Sequence, residues 1–492
     1  MLDGAEREAE GMGVTAQEIP GQGLLEVRPE RREWTLRTYV LVMVVAGVPA
    51  AIGLLIGVLV GEPRLGGVLA AVPFGLLILM KPEIGLYLFA AYLPFEGYSE
   101  IATGLNATRV LGIFVFVVML VHAFGRGRVE VKVPGFWLAL GFAVWSLLSI
   151  FGAQYPEASL DPLGTRFLSV GLLFLVVNAC LTEEQARTLF WVVFVSGIAA
   201  VFVPLVQTHA ASQEAIYRET VGGMDENSRA KILMGGLFLA PFLVRERSRW
   251  GWLVVIIGML ILSAGIIRTG SRSAYVAALV GLMVAIFTWR GMHFGKRILL
   301  VSAVVAALAL FVFIGTELGL WEAALYGRIE EVQQRGLAVG NRWRMSQIAL
   351  EIGLRHPILG VGVGNYIAES LKHGSRAVTT HNDFLNHLAE TGFPGLFLYV
   401  AFVLEVLRQA WRVAHPRLRA CLIGLYTAAM VASLGNPSYI LKAFWLQMGL
   451  CILGGIVFGR ERLAAPAEPE PTGEHLLATH AAGLDAGGVG GP

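Results

Sequence analysis

Long apolar runs, each closed by charged or turn-forming residues, recur along most of this chain. They fall at 39–60, 65–80, 84–95, 109–124, 135–151, 166–181, 188–206, 230–244, 250–267, 274–289, 298–315, 393–407, 418–434 and 441–458. A membrane-crossing helix needs about 20 predominantly apolar residues, and most of these runs approach that length. The pair at 65–80 and 84–95 is short, split by Lys81-Pro82-Glu83, and reads equally as a shallow hairpin. The pattern predicts an all-α integral membrane bundle of about 12–14 helices, with one long loop over 316–392. The layout follows: a tail over 1–36, helices over 37–315, the loop, C-terminal helices over 393–460, and a disordered tail over 461–492.

Composition supports this. The 492 residues are 55% hydrophobic and 15% charged, with a mean hydropathy of +0.65. A soluble protein carries about 25% charged residues, and one soluble core could not sequester this much apolar surface. The net charge of +2 gives no reason to expect nucleic acid. Cys180, Cys421 and Cys451 sit inside apolar runs and read as small buried hydrophobes. The first 36 residues are polar and show no cleavable signal pattern. Segment 1–30 reads as disordered.

Charge sets the expected orientation. Arg28–Arg37, Arg126/Arg128/Lys132, Arg245/Arg247/Arg249, Arg290/Lys296/Arg297 and Arg408/Arg412/Arg417/Arg419 all fall on one side, while Arg64, Arg109 and Arg166 mark the sparser one. The basic side is cytoplasmic, which puts both termini inside the inner (plasma) membrane. Segments 207–229, 268–273, 316–392 and 435–440 then face outward. Within the spans charge is scarce, which counts against a flippase or other transporter needing a polar path. No internal repeat points to a transporter either.

The 316–392 loop is patterned. Residues 321–334 and 341–354 have helical periodicity, the second with Trp343, Ile348 and Ile352 on one face. Pro357 ends that helix, the glycines of 360–364 form a turn, and a further helix runs from about 365 to 374. No Lys-Ser/Thr follows the glycines, so a structural turn is favoured over a phosphate loop. His381 precedes a helix whose first turn holds Asn382, Asp383 and Asn386; on spacing alone it is a surface histidine at a helix start. Arg268 and Arg272 flank a tight outer turn, and Arg342 and Arg344 sit on the cap. Snorkelling accounts for any one of them. Together they suggest an anionic ligand, because guanidinium groups bind phosphate oxygens in pairs.

At these residues the sequence resembles the O-antigen ligase and polymerase superfamily. His381-Asn382, nine residues and Gly392-Phe-Pro-Gly395 resemble its His-containing signature. Asn341-Arg342-Trp343 with Pro357–Gly364 resembles its Arg-Trp and Pro-x-x-Gly-x-Gly run. Thr269-Gly-Ser-Arg-Ser-Ala274 and Asp225-Glu-Asn-Ser-Arg-Ala230 resemble its outer Ser-Arg turn and Asp-x-Asn loop. The resemblance implies a GT-C type glycosyltransferase that needs no metal or other cofactor. It would move a glycan from undecaprenyl diphosphate to an acceptor hydroxyl with inversion, among membrane lipids. It further implies that Arg272 and Arg342, or the neighbouring Arg344 or Arg335, bind the diphosphate. His381 would be the base, supported by Asn382, Asp383, Asn227 and Arg268; Asp383 is alternatively the base itself or the group orienting His381. The acceptor stays open between lipid A-core (a ligase), a growing polysaccharide (a polymerase) and protein.

Overall fold

A computed structural model describes residues 14–18, 25–29, 36–60, 63–98, 100–102, 105–126, 133–207, 225–244, 248–290, 292–317, 339–374 and 379–459. Each apolar run is a helix. In order these are α1 (Leu36–Val60), α2 (Pro63–Met80), α3 (Pro82–Tyr92), α4 (Ala107–Arg126), α5 (Pro134–Leu148), α6 (Leu160–Ala179), α7 (Glu183–Gln207), α8 (Glu226–Leu243), α9 (Arg249–Arg268), α10 (Arg272–Thr288) and α11 (Phe294–Glu317). After the cap helices α12 (Val339–Arg355) and α13 (Tyr366–Lys372) come α14 (Asp383–Arg412), α15 (Pro416–Ser433) and α16 (Lys442–Val457). Two short antiparallel hairpins stand apart from this all-α fold, β1 (Val14–Glu18) with β2 (Leu25–Pro29) and β3 (Glu100–Ala102) with β4 (Leu105–Asn106). The first pairs residues within the segment expected to be disordered. The chain divides into a unit of residues 1–76 and one of 77–492, and the candidate site lies within the second.

Segments Pro134–Gly152, Pro156–Ala179, Glu183–Phe202, Arg249–Arg268 and Asp383–Arg412 are long and apolar enough to cross a membrane. Thr108–His122, Arg272–Thr288 and Lys442–Val457 are apolar but shorter. The chain is an all-α integral membrane protein whose apolar helices differ in length. The predicted helix over 321–334 lies outside the described residues.

Polar residues at the helix starts set the boundaries. Asp225 accepts from the amides of Asn227 and Ser228, Ser271 from that of Ala274, and Asn382 from those of Phe384 and Leu385. Each fills orphan donors of a first turn. Small residues set the packing. Cβ atoms built on Gly281 of α10 and Gly424 of α15 would stand 2.6 and 2.9 Å from each other's carbonyl oxygens, so the two backbones touch. Val254, Ile257 and Leu260 of α9 remain exposed, as lipid-facing positions do.

Two expectations need correcting. Trp343 is 65% exposed, and the packed face of α12 is Met345, Ile348, Ala349 and Ile352, set against Ala389 of α14. Trp343 lies about 200° around the helix from Met345, so it could not share that face. Charge that the helices do carry is buried at several positions, and one cation was misplaced. Arg166, Arg229, Lys231, Asp383, Glu390 and Arg419 are all buried in helices. Arg166, expected among outer-loop cations, sits in the second turn of α6. Long runs hid these residues because each stands within two turns of a helix end.

Candidate active site

The Ser-Arg turn is built by the Asp-x-Asn loop. Asp225 caps α8, which fixes Asn227, and Asn227 Oδ1 accepts from the hydroxyls of Ser271 (2.6 Å) and Ser273 (3.3 Å). Gly270 takes φ 69°, letting the chain reverse between α9 and α10. Arg272, the first residue of α10, is exposed, while Arg268 ends α9.

The cap supplies the second arginine. Arg342 enters α12 beside Arg272, and burial together with the Arg272 charge holds its pKa below the ordinary value. Its guanidinium stays charged at any working pH. Arg344 points elsewhere, its guanidinium 3.5 Å from where a Cβ on Gly374 would stand. Arg335 lies outside the described residues.

His381 completes the mouth. Its backbone sits at φ 56°, a left-handed conformation that a non-glycine residue keeps only when its surroundings impose it. Its Nδ1 lies 3.4 Å from Asn436 Oδ1. With the amide oxygen as acceptor, Nδ1 carries the proton and Nε2 presents its lone pair. Burial and the Arg342 charge push the His381 pKa down, against the Asn436 contact, which raises it. Arg342 thus feels both Arg272 and His381, although these are far apart in sequence.

Asp383 does not face the mouth. It is fully buried and accepts from the amides of Ser438 (2.9 Å) and Tyr439 (3.2 Å) and from the Tyr399 hydroxyl (3.3 Å). From the opposite side Lys231 donates to the carbonyl oxygens of Asn436 and Pro437, both at 3.0 Å. The 435–440 turn is thus gripped from two sides. Asn382 caps α14 through the amides of Phe384 and Leu385.

Beyond this turn opens a cavity of about 1050 Å³, lined in part by Phe89, Ile113, Phe116, Leu172, Tyr439 and Lys442. Lys442 hydrogen-bonds Glu96 and the Thr108 hydroxyl at its polar end. Arg166 reaches the cavity from α6, pairing with Glu390 at 3.0 Å and lying over the rings of Phe142 and Tyr439. Arg272, Arg342 and His381 are not among its lining residues.

The glycine run is a joint. Gly360, Gly362 and Gly364 take φ of 65°, 86° and 77°. The amides of Val361, Val363 and Gly364 bond Ala389 O, Ser149 Oγ and Glu390 Oε1. Those donors are used within the fold, so the run pins the cap to α14 and to the turn before α6. Among the described residues no group of three or more His, Cys, Asp and Glu side chains could hold a metal ion.

Lys231, Asn436, Arg166 and Glu390 escaped sequence reasoning. Lys231 directly follows the Asp-x-Asn loop, and Asn436 stands in the 435–440 segment expected to face outward; those were the available signals.

Residues 257–400 match a family model described as O-antigen ligase, which bears out the resemblance over the stretch holding Arg268, Arg272, Arg342, Arg344, His381 and Gly392. Asn227, Lys231 and Asn436 lie outside it. A comparison with curated proteins finds no match.

Proposed function

With an O-antigen ligase domain over residues 257–400 as premise, we propose that this protein transfers a glycan from undecaprenyl diphosphate to an acceptor hydroxyl at the outer face of the inner membrane, both termini being cytoplasmic. The observation that carries this is that Arg342 lies within electrostatic reach of both Arg272 and His381. The two guanidinium groups hold the donor diphosphate and offset the charge that grows as it leaves. His381 Nε2 takes the proton of the acceptor hydroxyl. That oxygen bonds to the anomeric carbon, the bond from carbon to phosphate oxygen breaks, and undecaprenyl diphosphate departs with the electron pair. Asn227 and Arg268 shape the Arg272 turn, Arg344 flanks the cap, and Asn382 sets the start of α14.

The cavity beyond the 435–440 turn has largely apolar walls with a polar end, and we read it as the seat of a lipid-borne acceptor. This favours a ligase acting on a lipid A-core type acceptor, or a polymerase extending a lipid-linked polysaccharide, over protein glycosylation. The buried charges of Arg166, Glu390, Lys231 and Asp383 are bound to partners, which counts against a transport path. The test is purified protein, an undecaprenyl-linked oligosaccharide and candidate acceptors added singly, without metal. Transfer to a lipid-borne acceptor is expected; leaflet exchange of the donor without transfer would sink the reading.

A further inference from the structure

Two opposite charges are buried behind the candidate mouth, and the chemistry above uses neither. Lys231 is 5% exposed and Asp383 is 0% exposed. Charges taken out of water are costly unless their hydrogen bonds are filled, and the simplest remedy is a direct ion pair. These two instead take opposite sides of the same short peptide turn. Lys231 satisfies the carbonyl oxygens of Asn436 and Pro437, and Asp383 satisfies the amides of Ser438 and Tyr439. The turn is further tied down by Trp445 Nε1, which donates to Tyr439 O at 2.6 Å, and by Asn386, whose amide donates to the Tyr439 hydroxyl at 2.7 Å.

Asn436, at the gripped end, has its side chain on His381 Nδ1. Asp383 stands two residues after His381, so one carboxylate anchors both the turn and the strained backbone that carries the imidazole. We propose that Lys231 and Asp383 are positioning residues: by clamping the turn from its carbonyl and amide sides, they hold Asn436 against His381 Nδ1 and fix Nε2 as the nitrogen free to accept a proton. This rests on His381 being the base. The groups facing the ring are Asn436 from the turn and Arg342 from α12, with Arg272 behind Arg342.

The test follows the titration of individual histidines, read by mass spectrometry from hydrogen exchange at the imidazole carbon, in full-length protein in nanodiscs. Asn436→Leu removes the contact directly and sets the reference, a downward move of the His381 midpoint, because that contact raises it. Lys231→Met and Asp383→Asn are expected to move His381 in the same direction while His356 and His373 stay put. Transfer from an undecaprenyl-linked oligosaccharide to whichever lipid-borne acceptor supports turnover should fall on the order of 10- to 100-fold in kcat at unchanged donor KM, the scale of a misplaced catalytic group. If either single variant fails to accumulate, Lys231→Met/Asp383→Asn carries the test, since it leaves no unpaired buried charge. A folded double variant with the wild-type His381 midpoint and kcat would overturn the clamp. Wild-type turnover in His381→Ala would instead overturn the base, and the midpoints would still decide whether the clamp holds Asn436.

Discussion

A histidine can take a proton only while its ring is neutral, and the charges around His381 favour that state. Burial and Arg342 both lower its pKa. The rate of transfer should therefore rise with pH on a limb lying below the ordinary histidine range of about 6.5 and then level off. Arg342→Gln removes a positive neighbour, makes protonation easier and moves that limb to higher pH; a profile that stays put would separate Arg342 from His381. His381→Ala should leave the donor bound and slow transfer by roughly 10²- to 10⁴-fold. Arg272→Lys and Arg342→Lys should weaken donor binding nearly as much as the alanine variants, because an ammonium cannot reproduce the guanidinium fork. Titration calorimetry with the undecaprenyl-linked donor checks both. At this scale sequence reading works where chemistry is local. Arg272 and His381 stand in short motifs, whereas Asn436 and Lys231 gain their meaning from contacts 55 and 205 residues away. His387 shows the converse. It lies one turn past Asp383, yet it is packed among Phe142, Tyr399 and Tyr439 with neither ring nitrogen hydrogen-bonded.

Elements join at two costly points. The first is Gly392, where α14 breaks with φ 66° and ψ −170°. A Cβ there would stand 2.4 Å from Ile358 O, beside the Phe393 amide that bonds Pro357 O at 2.8 Å. Gly392→Ala should lose at least about 2 kcal/mol from backbone strain alone and loosen the cap, seen as a lower unfolding temperature in detergent. The second is the buried pair Arg166–Glu390, which links α6 to α14 and through Gly364 to the cap. Glu390→Gln should destabilise by about 3–5 kcal/mol, more than Arg166→Met/Glu390→Gln together, because the single change strands a buried cation. The glycine joint and the α14 break were both legible as turns. What each touches was not, since glycine announces a permitted conformation and not the backbone lying against it. The misplaced Trp343 has a similar cause: a cap helix with exposed Leu350 and Leu354 opposite its packed face offers periodicity on both sides.

For the molecule as a whole, hydropathy was enough to give the class, because few folds bury this much apolar sequence. Span lengths were less legible: a capping serine shortens α10 to Arg272–Thr288 without altering its apolar appearance. The cavity was invisible, since its walls come from α3, α4, α6, α8, α14, α16 and the cap. Orientation is open to direct measurement. All three native cysteines are buried, so Leu371→Cys and Arg412→Cys report cleanly. An impermeant maleimide should label position 371 in cells with only the outer membrane opened, and position 412 only after the inner membrane is broken. The reverse pattern would invert the topology.

The 435–440 turn also acts as a partition. Asn436 and His381 stand on the side of the paired arginines, while Tyr439, Ile440 and Leu441 line the cavity on the other. Displacement at a saturated carbon needs the incoming oxygen and the departing group in line, on opposite sides of the reacting atom. With the diphosphate held at the arginines, and the acceptor reaching His381 past the edge of this turn from the cavity side, the proposed reaction meets that requirement. The new linkage should then carry the anomeric configuration opposite to the donor's, which the one-bond carbon–proton coupling of the product reads directly.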